Sequence, residues 1–339
     1  TRYRWLPRTG GGPKQRVNEK VVDVHTELQR TLQLVLPADL DTRIALARRL
    51  TRELVKKGQA EVAADLPVML FAGSEQAEAK AVVALEVWRA DKAHSFPKAA
   101  ADDLKTTLAK GGDKSPSAVV LWKAVGTDKA PNPIDLRMPG VNTNVPDPTR
   151  LAVVGLALLD GKTDEAQEAA RRPGSVPNQL RAAILIGEGA PDPGPAFDVA
   201  LAKLASVTGK KQPEPGSLPP PGVLLRLAQL AGAAGKLDQA KQFADAIPDE
   251  GLKAWAKADA LRLAAAAAAG TRLDDAAFEA PNDPAKIRAG HGWGRYWVAR
   301  HNTRISGDRS KETAAVKDWP GGTVQPLGWA GVAVGLRER

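Results

Sequence analysis

Apolar residues recur at intervals of three and four along much of this chain, which is the periodicity of one face of an α-helix. The first such run is Val17, Val21, Val24, Leu28, Leu32 and Val35. A second run extends from Ile44 to Leu54; Asp39 or Asp41 is placed to cap it, and Gly58 ends it. The pattern predicts that residues 17–126 form an array of short-jointed helical hairpins.

A second group of predicted helices carries an internal duplication with an offset of 74 residues. The segment "LAVVGLALLDGKTDEAQEAARRPGSVPNQLRAAILIGEG" (151–189) aligns with "LRLAQLAGAAGKLDQAKQFADAIPDEGLKAWAKADALRL" (225–263). Each copy reads as a helix, a Gly-Lys turn, a second helix, a break marked by proline, and a third helix. Glycine favours the left-handed conformation that ends the first helix, and Asp164 and Asp238 are the expected caps of the second.

Two segments rich in proline separate the predicted helical parts. Residues 127–148 contain five prolines and no apolar period, which indicates a linker between two subdomains. Residues 209–222 form a second insert, inside the duplicated region, between helices predicted at 196–208 and 221–234. The predicted organisation is 1–16 as a basic linker, 17–126 as an N-terminal array, 127–148 as a linker, 149–280 as C-terminal repeats and 281–339 as a capping segment.

The duplicated phrase resembles the tetratricopeptide-like (TPR-like) α-solenoids. The residues that carry this resemblance are Gly161, Ala166, Ala170 and Pro173 in the first copy and Gly235, Ala240, Ala244 and Pro248 in the second. The resemblance implies stacked helical hairpins with an extended surface that binds another protein chain. The alternative is an irregular helical bundle that carries one duplication.

Composition supports an all-α fold and narrows the possible chemistry. Aromatic residues make up only 4% of the chain while 43% is hydrophobic, as expected where small residues let helices approach closely. The sequence contains no cysteine, which excludes disulfides, thiolate metal sites and cysteine nucleophiles. No run of 18 apolar residues and no recognisable catalytic or phosphate-binding motif is present. We therefore expect a non-catalytic protein without a cofactor or a metal.

Basic charge is concentrated at the two ends of the chain. Residues 1–20 carry six basic residues and one acidic residue, and residues 281–339 carry ten basic and five acidic residues. On a predicted helix, Trp293, Trp297 and Ile305 would lie on the apolar side, and Arg295, Arg300, Arg304 and Arg309 would line a basic side. The candidate patch for an anion or a partner comprises Arg2, Arg4, Arg8, Arg295, Arg300, Arg304, Arg309, Trp293 and Trp297. The competing interpretation is a helical cap with a solvated basic side.

The segment "TRYRWLPRTGGGPKQR" at the start has two interpretations. Arginines beside Tyr3 and Trp5 are typical of a region next to a membrane, where aromatic rings lie at the interface and cations meet headgroups. Because the chain begins at Thr1 without methionine, this interpretation predicts that a membrane anchor precedes it. The other interpretation is an ordinary disordered terminus. The compartment stays open.

Three functions are compatible with these observations. The leading one is a protein–protein interaction scaffold of bacterial type, soluble or membrane-associated, that binds a protein partner or a second copy of itself. The second is a binder of a polyanion, either an anionic membrane surface or nucleic acid, through the basic ends. The third is an enzyme whose site the sequence does not reveal, with His291 and His301 as the residues to inspect.

Overall fold

The computed structural model describes residues 39–109, 115–126, 147–208, 217–268, 270–273, 281, 283–322 and 324–338. The predicted first helix over 17–35 and the greater part of both proline-rich segments lie outside these residues. Within them the chain forms α-helices and one 3₁₀ turn at Pro284–Lys286, with no strand. The helices are α1 (Leu40–Lys56), α2 (Ala60–Ala64), α3 (Leu66–Leu70), α4 (Glu75–Ala90), α5 (Ser95–Ala109), α6 (Pro116–Val125), α7 (Asp147–Leu159), α8 (Thr163–Ala170), α9 (Val176–Gly189), α10 (Gly194–Thr208), α11 (Pro221–Ala233), α12 (Leu237–Asp245), α13 (Glu250–Ala267), α14 (Ala289–Ser306), α15 (Arg309–Lys317) and α16 (Val324–Arg337). The prediction of an all-α fold is confirmed.

The ends of α1 follow the signals in its sequence. Asp39 is the cap, and its carboxylate accepts a hydrogen bond of 3.0 Å from the backbone N–H of Thr42. At the other end Gly58 has φ of +69°, and the N–H of Gln59 donates to the carbonyl of Leu54 at 2.8 Å. This bond satisfies a helix-end carbonyl that would otherwise lack a partner.

The two copies of the duplicated phrase have the same local structure. Each consists of three helices, α7–α9 and α11–α13. Gly161 and Gly235 have φ of +75° and +73°, and the residues after them, Lys162 and Lys236, each donate a backbone hydrogen bond of 2.8 Å to the preceding helix. This is the geometry of a Schellman turn, which requires the left-handed region that glycine adopts at little cost.

The prediction that Asp164 and Asp238 cap the second helices is wrong. The N-cap positions are occupied by Lys162 and Lys236, whose side chains make no capping bond, and the aspartates lie in the first turn. The Schellman turn leads directly into the next helix and therefore leaves no place for a separate capping residue. A carboxylate in the first turn still interacts favourably with the positive end of the helix dipole.

Replacing Gly161 or Gly235 by alanine should lower the free energy of unfolding by about 1–2 kcal/mol in each case, because alanine is disfavoured at positive φ. The two losses should be nearly equal, since a Cβ at either position would meet no atom within 4 Å. Gly321→Ala is the matched control: its surroundings are equally open, but its φ is not positive. Urea denaturation of the three variants measures the difference, and a loss in the control as large as that in the variants would contradict the conformational argument.

Six helices form a closed cycle of contacts. In order, α1, α4, α6, α7, α9 and α11 each pack against the next, and α11 packs against α1. The helices α2, α3, α5, α8, α10 and α12 pack on members of this cycle. In an open solenoid each unit contacts only its neighbours along the chain. The contact between α1 and α11 therefore closes the array into a ring.

The ring has apolar joints along the chain and a polar joint where it closes. Buried apolar clusters join α1 to α4, α4 to α6 and α7, α7 to α9, and α9 to α11. Among the described residues none of these clusters joins α1 to α11. The cluster shared by α6 and α7 lies across the predicted boundary at 127–148, although the division into subdomains itself stays a prediction.

The last three long helices extend the array beyond the ring. Helix α13 packs on α11, α14 packs on α13, and α16 packs on α14. Glycines allow these close approaches: a Cβ on Gly290 would lie 2.6 Å from the carbonyl oxygen of Ala254, and a Cβ on Gly331 would lie 3.1 Å from the Cβ of Ala299. The capping segment is thus attached through backbone contact between helices.

Candidate functional site

The predicted basic patch is divided among several places. Arg2, Arg4 and Arg8 lie outside the described residues. Arg309 begins α15, which is separated from α14 by the turn at Gly307, so Arg309 does not continue the α14 surface. Arg295 is only 6% exposed, and its guanidinium lies 4.7 Å from the ring centroid of Trp319.

The remaining members of the patch share one face of α14, which corrects the predicted separation of tryptophans from arginines. Trp293, Trp297, Arg300 and Arg304 are spaced by four, three and four residues, so at about 100° per residue they form one stripe. Arg295 is about 200° around the helix from Trp293. The predicted apolar side with Trp293 and Trp297 and the predicted basic side with Arg300 and Arg304 are therefore one side of α14.

A second stripe lies beside the first, on α13. Trp255, Arg262 and Ala266 have the same spacing on α13 as Trp293, Arg300 and Arg304 have on α14. A cleft of about 370 Å³ is lined by residues of both helices, among them Arg262, Ala266, Trp297, Arg300 and Arg304. We call Trp255, Arg262, Trp293, Trp297, Arg300 and Arg304 the Trp–Arg face. Trp255 and Trp293 are 46% and 37% exposed.

Arg300 contacts an aromatic ring and a carboxylate in this cleft. Its guanidinium lies 5.1 Å from the ring centroid of Trp297. Its Nε donates to Oε2 of Glu338 at 2.8 Å, and its Nη2 donates to the other carboxylate oxygen. The hydrogen bond from Arg300 lowers the pKa of Glu338, and Arg304 adds to the effect. The cleft therefore already binds one carboxylate in a two-pronged geometry.

The two candidate histidines have structural roles. His291 Nδ1 accepts a hydrogen bond of 2.9 Å from the backbone N–H of Arg288 at the start of α14, which is a capping bond. Burial, followed by the charge of Lys257, lowers the pKa of His291. His301 is buried, and its Nε2 donates to the carbonyl of Thr271 at 2.8 Å. No group of three or more metal-ligating side chains occurs in the part of the chain that the structure describes.

A buried ionic network, which the sequence pattern does not predict, lies at the closing joint of the ring. Glu188 on α9 accepts hydrogen bonds from Arg48 on α1 and from Arg226 on α11, the latter at 2.9 and 3.1 Å. The Glu188 side chain is 2% exposed and both arginine side chains are 10% exposed. Burial lowers the pKa of Arg48 and of Arg226 to about 10, so both are charged at neutral pH.

Further polar contacts extend this joint. Gln229 on α11 donates to Asp259 on α13 at 2.9 Å, and Arg49 on α1 lies 3.3 Å from the same carboxylate. Arg181 on α9 donates two hydrogen bonds, of 2.7 and 3.0 Å, to Asp41 on α1. In the sequence these charged residues alternate with apolar residues in the same way as charged residues on a helix surface. Only the tertiary contacts therefore show that they are paired.

Comparison with protein-family models, with curated proteins and with solved structures gives no match for this chain. Over the described residues, none of the helices combines the length and the apolar character that crossing a membrane requires.

Proposed function

We propose that this chain is a non-catalytic protein-interaction scaffold, built as a TPR-like array of helical hairpins and closed by its first described helix. The repeated three-helix unit supports the array. The contact between α1 and α11 distinguishes it from an open superhelix, in which the concave surface is free for a partner. We therefore assign partner binding to the C-terminal extension, α13–α16.

The observation that carries this proposal is the exposure of two tryptophans beside arginines on the Trp–Arg face. Tryptophan and arginine are enriched among the residues that dominate the energy of protein interfaces. Exposing large indole rings to water is unfavourable, and covering them with a partner removes apolar area from water. The partner is a different protein chain, or a second copy of this one.

The double variant Trp255→Ala/Trp293→Ala should bind the partner with an affinity at least about tenfold lower than wild type. Truncation of interface tryptophans commonly costs more than 1.4 kcal/mol of binding free energy. The measurement is affinity capture on the immobilised full chain from an extract of the cells that produce it, with partners identified by mass spectrometry and then titrated. Sedimentation over a range of concentrations tests self-association in the same variants.

Trp329→Ala is the matched control for this experiment. Trp329 is 43% exposed, yet it lies about 200° around α16 from Gly331, which faces α14. It therefore has similar exposure on a surface away from the Trp–Arg face. Partner capture that is equally strong in wild type and in the double variant, or equally weak in the double variant and in Trp329→Ala, would argue against the proposed face.

Binding of an extended polyanion is the weaker candidate. A nucleic acid requires several cations that are available to phosphates. In the cleft, Arg300 is paired with Glu338, and Arg262 donates to Asp259 at 3.0 Å. Two of the three arginines that line the cleft are therefore already partly neutralised.

A further inference from the structure

The position of Glu338 indicates what kind of ligand the cleft accepts. Its carboxylate meets both Nε and Nη2 of Arg300, as an external carboxylate would in a two-pronged ion pair. The two side chains are 30% and 33% exposed, so water and a competing ligand can both reach them. A partly exposed pair of this kind is stabilised by about 1 kcal/mol or less, which is weak enough for exchange.

The charged groups around Arg300 leave the cleft with one positive charge in excess. The arginines of the cleft are Arg262, Arg300 and Arg304, and the nearby carboxylates are Asp259 and Glu338. A monoanionic group that replaces Glu338 leaves the local charge balance unchanged. What favours a carboxylate ligand is that Arg300 already holds one through both Nε and Nη2.

The dimensions of the face suit a short extended segment. From Trp293 to Arg304 the stripe spans eleven residue steps, or about 16 Å at 1.5 Å per residue. An extended peptide rises about 3.3 Å per residue, so about five residues match this length. A carboxylate at one end would meet Arg300 and Arg304, while apolar side chains at the other end would cover Trp255 and Trp293.

We propose that the Trp–Arg face binds an acidic peptide segment of a partner, one carboxylate of which takes the place of Glu338 on Arg300. Glu338 is then an internal competitor that must leave before the peptide binds. This inference rests on the proposed function of the chain as an interaction scaffold, and it specifies the chemistry of the partner. Binding requires the exchange of one ion pair for another and the covering of two indole rings.

The test uses fluorescence anisotropy with the full chain and a fluorescein-labelled peptide in which three glutamates alternate with leucines. Glu338→Gln should bind this peptide about three- to tenfold more tightly than wild type, since the internal competitor is removed. Arg300→Ala/Arg304→Ala should bind it at least about tenfold more weakly. A peptide with glutamine in place of glutamate should show no measurable binding to any variant.

Arg309→Ala is the matched control, because Arg309 is exposed, basic and close in sequence but begins a different helix. It should bind the peptide as wild type does. Unfolding curves for all variants establish that they fold, which the exposure of the Arg300–Glu338 pair leads us to expect. Equal or weaker peptide binding by Glu338→Gln would overturn the proposal.

Two further probes separate the carboxylate from other anions. The probes are a single-stranded DNA oligomer and a vesicle of phosphatidylserine and phosphatidylcholine. Tighter binding of either probe than of the peptide, with steep dependence on salt, would also overturn the proposal of a carboxylate ligand. Partner capture that depends on Trp255 and Trp293 while the acidic peptide fails to bind would refute this inference alone. Loss of tryptophan-dependent capture would refute the proposed function, whatever the peptide does.

Discussion

Replacing Glu188 by alanine should lower the free energy of unfolding by about 3–5 kcal/mol. Glu188 is the carboxylate between Arg48 and Arg226, and all three side chains are buried. Without it, the two buried guanidinium groups lose the one carboxylate that hydrogen-bonds both of them, and keep only through-space attraction from neighbours such as Glu86. The measurement is urea denaturation followed by circular dichroism.

Glu168→Ala is the matched control for Glu188→Ala. Glu168 also lies within 3.6 Å of two arginines, Arg171 and Arg172, but its side chain is 55% exposed. Its removal should change the free energy of unfolding by about 0.5 kcal/mol or less, because water screens and solvates the remaining charges. Similar losses in the two variants would contradict the assignment of the Glu188 effect to uncompensated buried charge.

A second variant separates the cost of unpaired charge from the value of the ion pairs themselves. Replacing Arg48, Glu188 and Arg226 together by methionine removes these three buried charges and keeps apolar volume at the joint, while the buried Glu86 keeps its hydrogen bonds from Arg52 and Arg89. Buried ion clusters are often replaceable by apolar residues without loss of stability. The triple variant should therefore be more stable than Glu188→Ala, although it lacks more of the native contacts.

Gly290→Val should have the second large effect, a loss of about 3 kcal/mol in the free energy of unfolding. A Cβ on Gly290 would lie 2.6 Å from both the carbonyl oxygen of Ala254 and the N–H nitrogen of Trp255, which are backbone atoms. A side chain at this position must push α14 away from α13, since neither atom can rotate out of the way. Hydrogen exchange should rise throughout α14 and α16 and stay unchanged in α4.

Gly294 provides the comparison within the same helix. A Cβ there would come closest to the end of the Leu261 side chain, at 3.2 Å, which can adjust, and would lie at an ordinary contact distance of 3.7 Å from the Cα of Ala258. Alanine also favours helix over glycine by about 1 kcal/mol. Gly294→Ala should accordingly be near neutral while Gly290→Ala is destabilising. Equal effects at the two positions would show that loss of glycine, and not the approach of two backbones, decides the result.

Much of the secondary structure could be predicted because its causes are local. The apolar period, the cap at Asp39 and the glycines at 58, 161 and 235 each act within one or two turns of helix. The duplication is also predictable from the sequence, because an offset of 74 residues relates both the residues of the two copies and the helices that these residues form. Asp164 and Asp238 were misassigned because a Schellman turn runs directly into the next helix.

The candidate site was only partly predictable. Trp293, Trp297, Arg300 and Arg304 were identified as candidates, and the structure places them on one stripe beside α13. Arg295 belonged to the same list but is buried against Trp319. The spacing of Gly290 and Gly294, and of Gly331 and Gly335, is a signal of close helix contact that was present in the sequence and overlooked.

By itself the sequence determined that this chain is helical, where most of its helices begin and end, and that one three-helix unit occurs twice. These properties follow from interactions between residues a few positions apart. Only the tertiary structure decided that α1 returns to α11, that Glu188 is buried between two arginines, and that Arg300 already holds a carboxylate. A charged residue between apolar stripes has the same pattern whether water or another helix lies opposite, and only the path of the whole chain determines which of the two it meets.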